Sequence, residues 1–130
     1  MSAERNRQAL TAYLQEHDAT QLTEDAVFTD MSSGQSWEGR EAIGGMLDAM
    51  YHQMFDARAD VKNLIVDDEH AVLEAMFVGR HIGEFAGVPA TNMDVSVPLA
   101  VVYDFREGRI SAGRVFWTVP VFLAQVGAAA

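Results

Sequence analysis

The chain has 130 residues, no cysteine and a formal net charge of −10, which fits one domain that buries its core without disulfides or thiolate metal sites. So acidic a surface repels a phosphate backbone, and no nucleic-acid partner is expected. Nowhere do about eighteen apolar residues follow one another, and the N-terminal MSAERNRQALTAYLQEH lacks the apolar run of a secretory signal, so no membrane partner and a cytoplasmic setting are expected.

Hydrophobic residues make up 49% of the chain. A domain this small has limited interior, so part of that surface is expected to line a cavity or meet a second subunit. In chain order, residues 3–16 are predicted to be a helix with Ala9, Leu10, Tyr13, Leu14 and His17 on one side. Asp18 then caps a short second helix, with Gln21 completing a capping box. AVFTDM (26–31) is a predicted strand and SSGQS (32–36) a polar loop. After Gly39 the clearest helix begins, its stripe formed by Ile43, Met46, Leu47, Met50, Tyr51, Met54 and Phe55. From Ala59 the pattern changes to strands over 58–66, 71–81, 93–105 and 109–119. Turns fall at DDEH (67–70) and Arg106–Glu107–Gly108, and a loop carries Gly83, Gly87 and Pro89. Pro120 closes the last strand, and VFLAQVG forms a short final helix.

Helices followed by a run of antiparallel strands give an α+β domain with helices on one face of a curved sheet. Strands 71–79 and 93–103 are apolar on both faces. In an antiparallel sheet that predicts cover on both sides, helices on one and the partner of a homodimer on the other. No repeat or linker interrupts residues 1–130, which are taken as a single domain.

Several motifs coincide: DAVFTD (25–30), WEGREAI (37–43), HIGEFAGVPAT (81–91), YDFREGRI (103–110) and FLAQVG (122–127). Together they resemble the SnoaL-like polyketide cyclases, within the wider nuclear-transport-factor-like group that includes ketosteroid isomerases and limonene epoxide hydrolases. The resemblance implies a cystatin-like α+β barrel, a cone-shaped, mostly antiparallel sheet wrapped around N-terminal helices, with an apolar pocket and a usual dimer. It also implies ring closure or isomerisation by acid–base catalysis on a small hydrophobic polyketide- or terpenoid-type molecule, without metal or cofactor. In such cyclases a histidine and an aspartate on the last two strands move the protons. Seven residues to either side of Gly108, the matching positions are Val101 and Val115. Valine can neither hold nor release a proton. That substitution favours the alternative of a non-catalytic binder that keeps the cone.

Two other residues remain as a candidate catalytic pair. Asp30 aligns with the carboxylate that serves as base in the isomerases. His81, at the head of H-x-G-x-F-x-G, is the proton carrier of choice, with Asp30 or Glu84 to orient it. The substrate pocket is expected to be lined by Tyr13, Trp37, Met50, Tyr51, Met54, Phe77, Leu99, Val101, Tyr103, Val115 and Trp117, with Tyr13 donating an anchoring hydrogen bond. Arg114 falls on the opposite face. Asp48, His52 and Asp56 repeat at i, i+4, i+8 but lie opposite the apolar stripe and read as solvated surface; no metal is expected. Neither a glycine-rich phosphate loop nor a G-x-S-x-G elbow is present.

Overall fold

A computed structural model describes residues 2–127. Helix α1 spans Ser2–Glu16 and leads through a single 3₁₀ turn (Ala19–Gln21) into strand β1 (Leu22–Asp30). After a turn come β2 (Ser36–Glu38) and α2 (Arg40–Asp48), which runs on as a π turn over Ala49–Gln53. Strands β3 (Phe55–Val66), β4 (His70–His81), β5 (Asp94–Arg106) and β6 (Arg109–Trp117) follow, then α3 (Val119–Gln125). They form one curved α+β sheet in the order β2-β1-β6-β5-β4-β3, left open with β2 and β3 at its edges. No helix among the described residues is long and apolar enough to cross a membrane.

Most of the expected elements are in place, with differences at their ends. Strand β1 begins four residues before Ala26, because Asp18 caps only one 3₁₀ turn: Thr20 N–H donates to its Oδ1, and the Gln21 side chain donates to Oδ2 instead of reaching the cap backbone. The SSGQS segment gives up Ser36 to β2. Pro120 does not close β6 but sits in the first turn of α3, where its missing N–H costs nothing. The larger surprise is that β1 pairs with β6 in parallel, so the sheet is mixed. Asp48 and His52 precede the chain's change from helix to strand and Asp56 follows it; all three are exposed.

The ladder register explains which side chains meet. One inward row runs Val66, Ala71, Tyr103, Gly113, Phe28 and Trp37 across all six strands. The next runs Leu64, Leu73, Val101, Val115 and Asp30. Helix α1 covers these rows with Ala9, Leu10 and Tyr13, all buried. Two polar bonds seat it: Asn6 Nδ2 donates to the Asp67 carbonyl at 3.1 Å and Arg5 to the Glu107 carbonyl at 2.9 Å. Arg40 donates twice to the Leu22 carbonyl, fixing the start of α2 against β1. The hairpin tip Glu107–Gly108 takes positive φ at both residues (53° and 77°), the two-residue turn that matches strand twist.

A second core fills the other end of the sheet. Phe55, Phe77, Val95, Val97 and Phe122 pack there, sealed by α3. The Gln125 side chain both donates to the Ser96 carbonyl (2.6 Å) and accepts from its N–H (2.8 Å), which pins α3 across β5.

Candidate functional site

Between the helices and the sheet lies a cavity of about 300 Å³, at the small end of the range for small-molecule sites. All eleven expected lining residues border it: Tyr13, Trp37, Met50, Tyr51, Met54, Phe77, Leu99, Val101, Tyr103, Val115 and Trp117. Period-2 alternation brings Leu99, Val101 and Tyr103 of β5 to one face, and the antiparallel register sets them opposite Trp117, Val115 and Gly113. Gly113 has a specific task. A Cβ there would lie 3.0 Å from the Phe28 ring, which would have to give by a few tenths of an ångström, so glycine lets that ring lie close over the strand. Phe28 thereby completes a triangle of edge-on rings with Tyr13 (6.1 Å) and Tyr103 (6.2 Å).

The π turn supplies much of the opposite wall. Met54 N–H donates to the Ala49 carbonyl at 2.7 Å, a five-residue step that widens the helix as it ends. Ala49, Met50, Tyr51 and Met54 all reach the cavity from it. Such widened turns are frequent at functional sites.

The polar groups in this hollow are few. No hydroxyl of Tyr13, Tyr51 or Tyr103 has a hydrogen-bond partner among the described residues, and none is sealed off. Burial pushes the Tyr51 phenol up to about 12. Burial, then the neighbouring phenols, raises Tyr13 and Tyr103 further from ionisation. At neutral pH all three are therefore neutral donors without an acceptor. Asp30 also borders the cavity, brought beside Val115 by the parallel pairing. Its Oδ1 accepts from Ser32 N–H (2.9 Å) and Ser32 Oγ (2.6 Å), so it also holds the turn after β1. Its second oxygen has no partner among the described residues.

His81 is elsewhere. It is fully buried on the inward face of β4, yet at the end of the sheet filled by the second core. Its ring packs against Phe55 (5.3 Å) and stands edge-on to Phe122 (5.0 Å). Nδ1 accepts from Thr91 N–H at 3.3 Å and lies 3.0 Å from Thr91 Oγ1, while Nε2 has no partner among the described residues. The structure therefore does not bring His81 to Asp30 or to the cavity, and Glu84 is exposed on the following loop. The expected proton-transfer pair is not assembled; what His81 does geometrically is tie β4 to the chain entering β5.

Residues beyond those expected also border the cavity, chiefly His17, Phe28, Gln35, Met46, Leu47 and Phe85. His17 lay in plain view, four residues after Tyr13 on the apolar side of α1. It adopts φ 53°, a left-handed conformation that costs a non-glycine residue about 1–2 kcal/mol. Phe85 gave no signal, because a loop carries it to the wall through its bridge to Val88. Among the described residues no three His, Asp or Glu side chains gather as a metal site.

The sequence model described as SnoaL-like domain matches residues 4–113. No curated protein matches the chain significantly. Among solved structures, a Jannaschia sp. CCS1 protein provisionally named a SnoaL-like polyketide cyclase superposes with a TM-score of 0.87 at 19% identity, covering 99% of this chain and 96% of its own. A Catenulispora acidiphila protein of ketosteroid isomerase-like fold, in complex with trimethylamine, gives 0.75 at 22% identity, with 93% of each chain covered. TsrD from Streptomyces laurentii gives 0.78 at 20%, covering 98% of this chain and 96% of its own. At such identities these likenesses speak for the fold alone.

Proposed function

Because the chain belongs to the family of SnoaL-like domains, we propose that its cavity binds a small hydrophobic ring molecule bearing a carbonyl, of the polyketide or terpenoid kind. The observation that carries this is the trio of phenols on the cavity, Tyr13 and Tyr103 buried and Tyr51 partly so, whose hydroxyls have no acceptor among the described residues. A ligand carbonyl gives these accessible hydroxyls an acceptor in place of water, while the surrounding valine, leucine, methionine and aromatic side chains take up its hydrocarbon.

Asp30 is then the group to accept a proton from the carbon beside that carbonyl, in a cofactor-free isomerisation or cyclisation. The second reading is a binder that returns its ligand unchanged. Val101 and Val115 favour it, since they place aliphatic side chains on facing rungs of the cavity wall. A panel of cyclic ketones separates the two. Stabilisation of the protein by the ketones is expected in both cases. Turnover that vanishes in Asp30→Asn with the stabilisation kept supports the catalyst, and stabilisation without turnover supports the binder. Ketones that neither stabilise nor react would remove both.

The same proposal includes a homodimer through the far side of the sheet, in a cytoplasmic setting. There Ile65, Val72 and Val102 stand side by side across β3, β4 and β5, and Phe116 lies beside Ala100. Ile65 is 59% and Phe116 45% exposed in the single chain. Arg114 flanks them, held by two bonds of 2.8 and 3.0 Å to Asp104, so this charge is neutralised beside the apolar rows. Gel filtration is expected to give twice the chain mass, and Ile65→Lys with Phe116→Lys to give the monomer; a wild-type monomer contradicts the dimer.

A further inference from the structure

His17 is the one imidazole bordering the cavity, and the ketone chemistry above leaves it unused. Its left-handed backbone, directly after Glu16, is the common C-terminal stop of a helix. The ring is held 4.5 Å from that of Tyr51 on the π turn and 5.7 Å from that of Tyr13. No described residue hydrogen-bonds its nitrogens, whereas His70 and His81 each have a side-chain partner.

The titratable groups around it are few. Tyr13 and Tyr51 touch the ring, His52 of the π turn acts on it through its charge, and Asp30 borders the same cavity. Glu16 and Asp18 flank it in the chain; the Asp18 carboxylate is occupied by Thr20 and Gln21. Burial first, and then the His52 charge, keep the His17 pKa below 6.5. The neutral imidazole therefore offers a lone pair at neutral pH. Its N–H only adds to the donors that the three phenols already offer a carbonyl, whereas its lone pair serves a hydroxyl.

We propose that His17, held between the rings of Tyr51 and Tyr13, is a ligand-binding residue that accepts a hydrogen bond from a hydroxyl on an aromatic or enolic ring. The preferred ligand is then a planar hydroxylated ring, its carbonyl, where present, meeting the phenols. Phe28, Phe77 and Trp117 line the cavity with aromatic faces and edges suited to such a plane. This inference rests on the cavity being a ligand site.

The test compares 2-naphthol with naphthalene on the wild type and on His17→Gly, a substitution that suits the positive φ and so keeps the fold. The preference for 2-naphthol over naphthalene is expected to be about tenfold larger in the wild type than in His17→Gly. Wild-type affinity for 2-naphthol falls as pH drops through the His17 pKa, which burial holds below 6.5, also in the Asp30→Asn background, and does not fall in His17→Gly. An equal preference for 2-naphthol over naphthalene in the two proteins, or an acid loss that survives in His17→Gly, overturns the role of His17 and leaves the cavity standing. Failure of both probes to bind overturns the cavity reading, and the inference with it.

Discussion

His81→Ala is expected to lower stability by about 3 kcal/mol, the range of truncating a large buried side chain to alanine, while the folded variant keeps its affinity for cavity ligands. The melting temperature should fall by about 10–15 °C, since 1 kcal/mol is worth several degrees in a domain of this size. The loss has two parts. The ring fills space between Phe55 and Phe122, so its removal leaves a void that close-packed aromatic neighbours cannot collapse into. It also leaves Thr91 N–H without its acceptor, and that bond helps seat the chain entering β5. Thermal unfolding and a ligand titration well below the new midpoint measure both halves. A proton-transferring His81 would give the reverse pattern, an unchanged melting temperature and lost turnover.

Val101→Asp is expected to cost about 4 kcal/mol at pH 7, from a carboxyl pKa raised by roughly three units at 1.36 kcal/mol each. Val101 is 5% exposed and stands between Leu73 and Val115, with no cation beside it in the ladder. The new acid has a folded pKa above its unfolded value of about 3.9. Between those two values the unfolded chain has released the proton and the folded one has kept it. Stability therefore falls as pH rises through that window and levels off above the folded pKa. At low pH the neutral acid becomes one more hydrogen-bond donor, so a cyclic ketone should bind the variant more tightly there than at pH 7. Denaturant unfolding across pH reads the effect directly. A variant whose stability does not change with pH would place position 101 in water, and the apolar wall would be wrong.

How much of this was legible without coordinates varies with the kind of signal. The stripe from Ile43 to Phe55 is a strong periodic pattern that contributed Met50, Tyr51 and Met54 to the cavity, and alternation along β5 and β6, counted from the family positions Val101 and Val115, contributed Leu99, Tyr103 and Trp117. The parallel pairing of β1 with β6 was not legible, because strands far apart in the chain carry no mark of their partner's direction. Yet that pairing is what sets Asp30 beside Val115. His81 shows the limit of residue type as a guide: β4 is apolar on both faces, so its direction was not readable, and which of two cores lies beneath that end of the strand depends on where α3 folds back. His17 shows the opposite error. Its place on the α1 stripe was visible, but a stripe does not tell a cavity-lining side chain from one that merely faces the sheet.

The most direct measurement is the set of intermolecular nuclear Overhauser contacts between bound 2-naphthol and the valine methyls of β4, β5 and β6. Val101 and Val115 face the hollow, whereas Val72 and Val102 stand on the other side of the same sheet. Contacts to Val101 and Val115, and none to Val72 or Val102, are predicted. Contacts confined to Val72 and Val102 would put the ligand on the outer face and contradict a cavity that receives it.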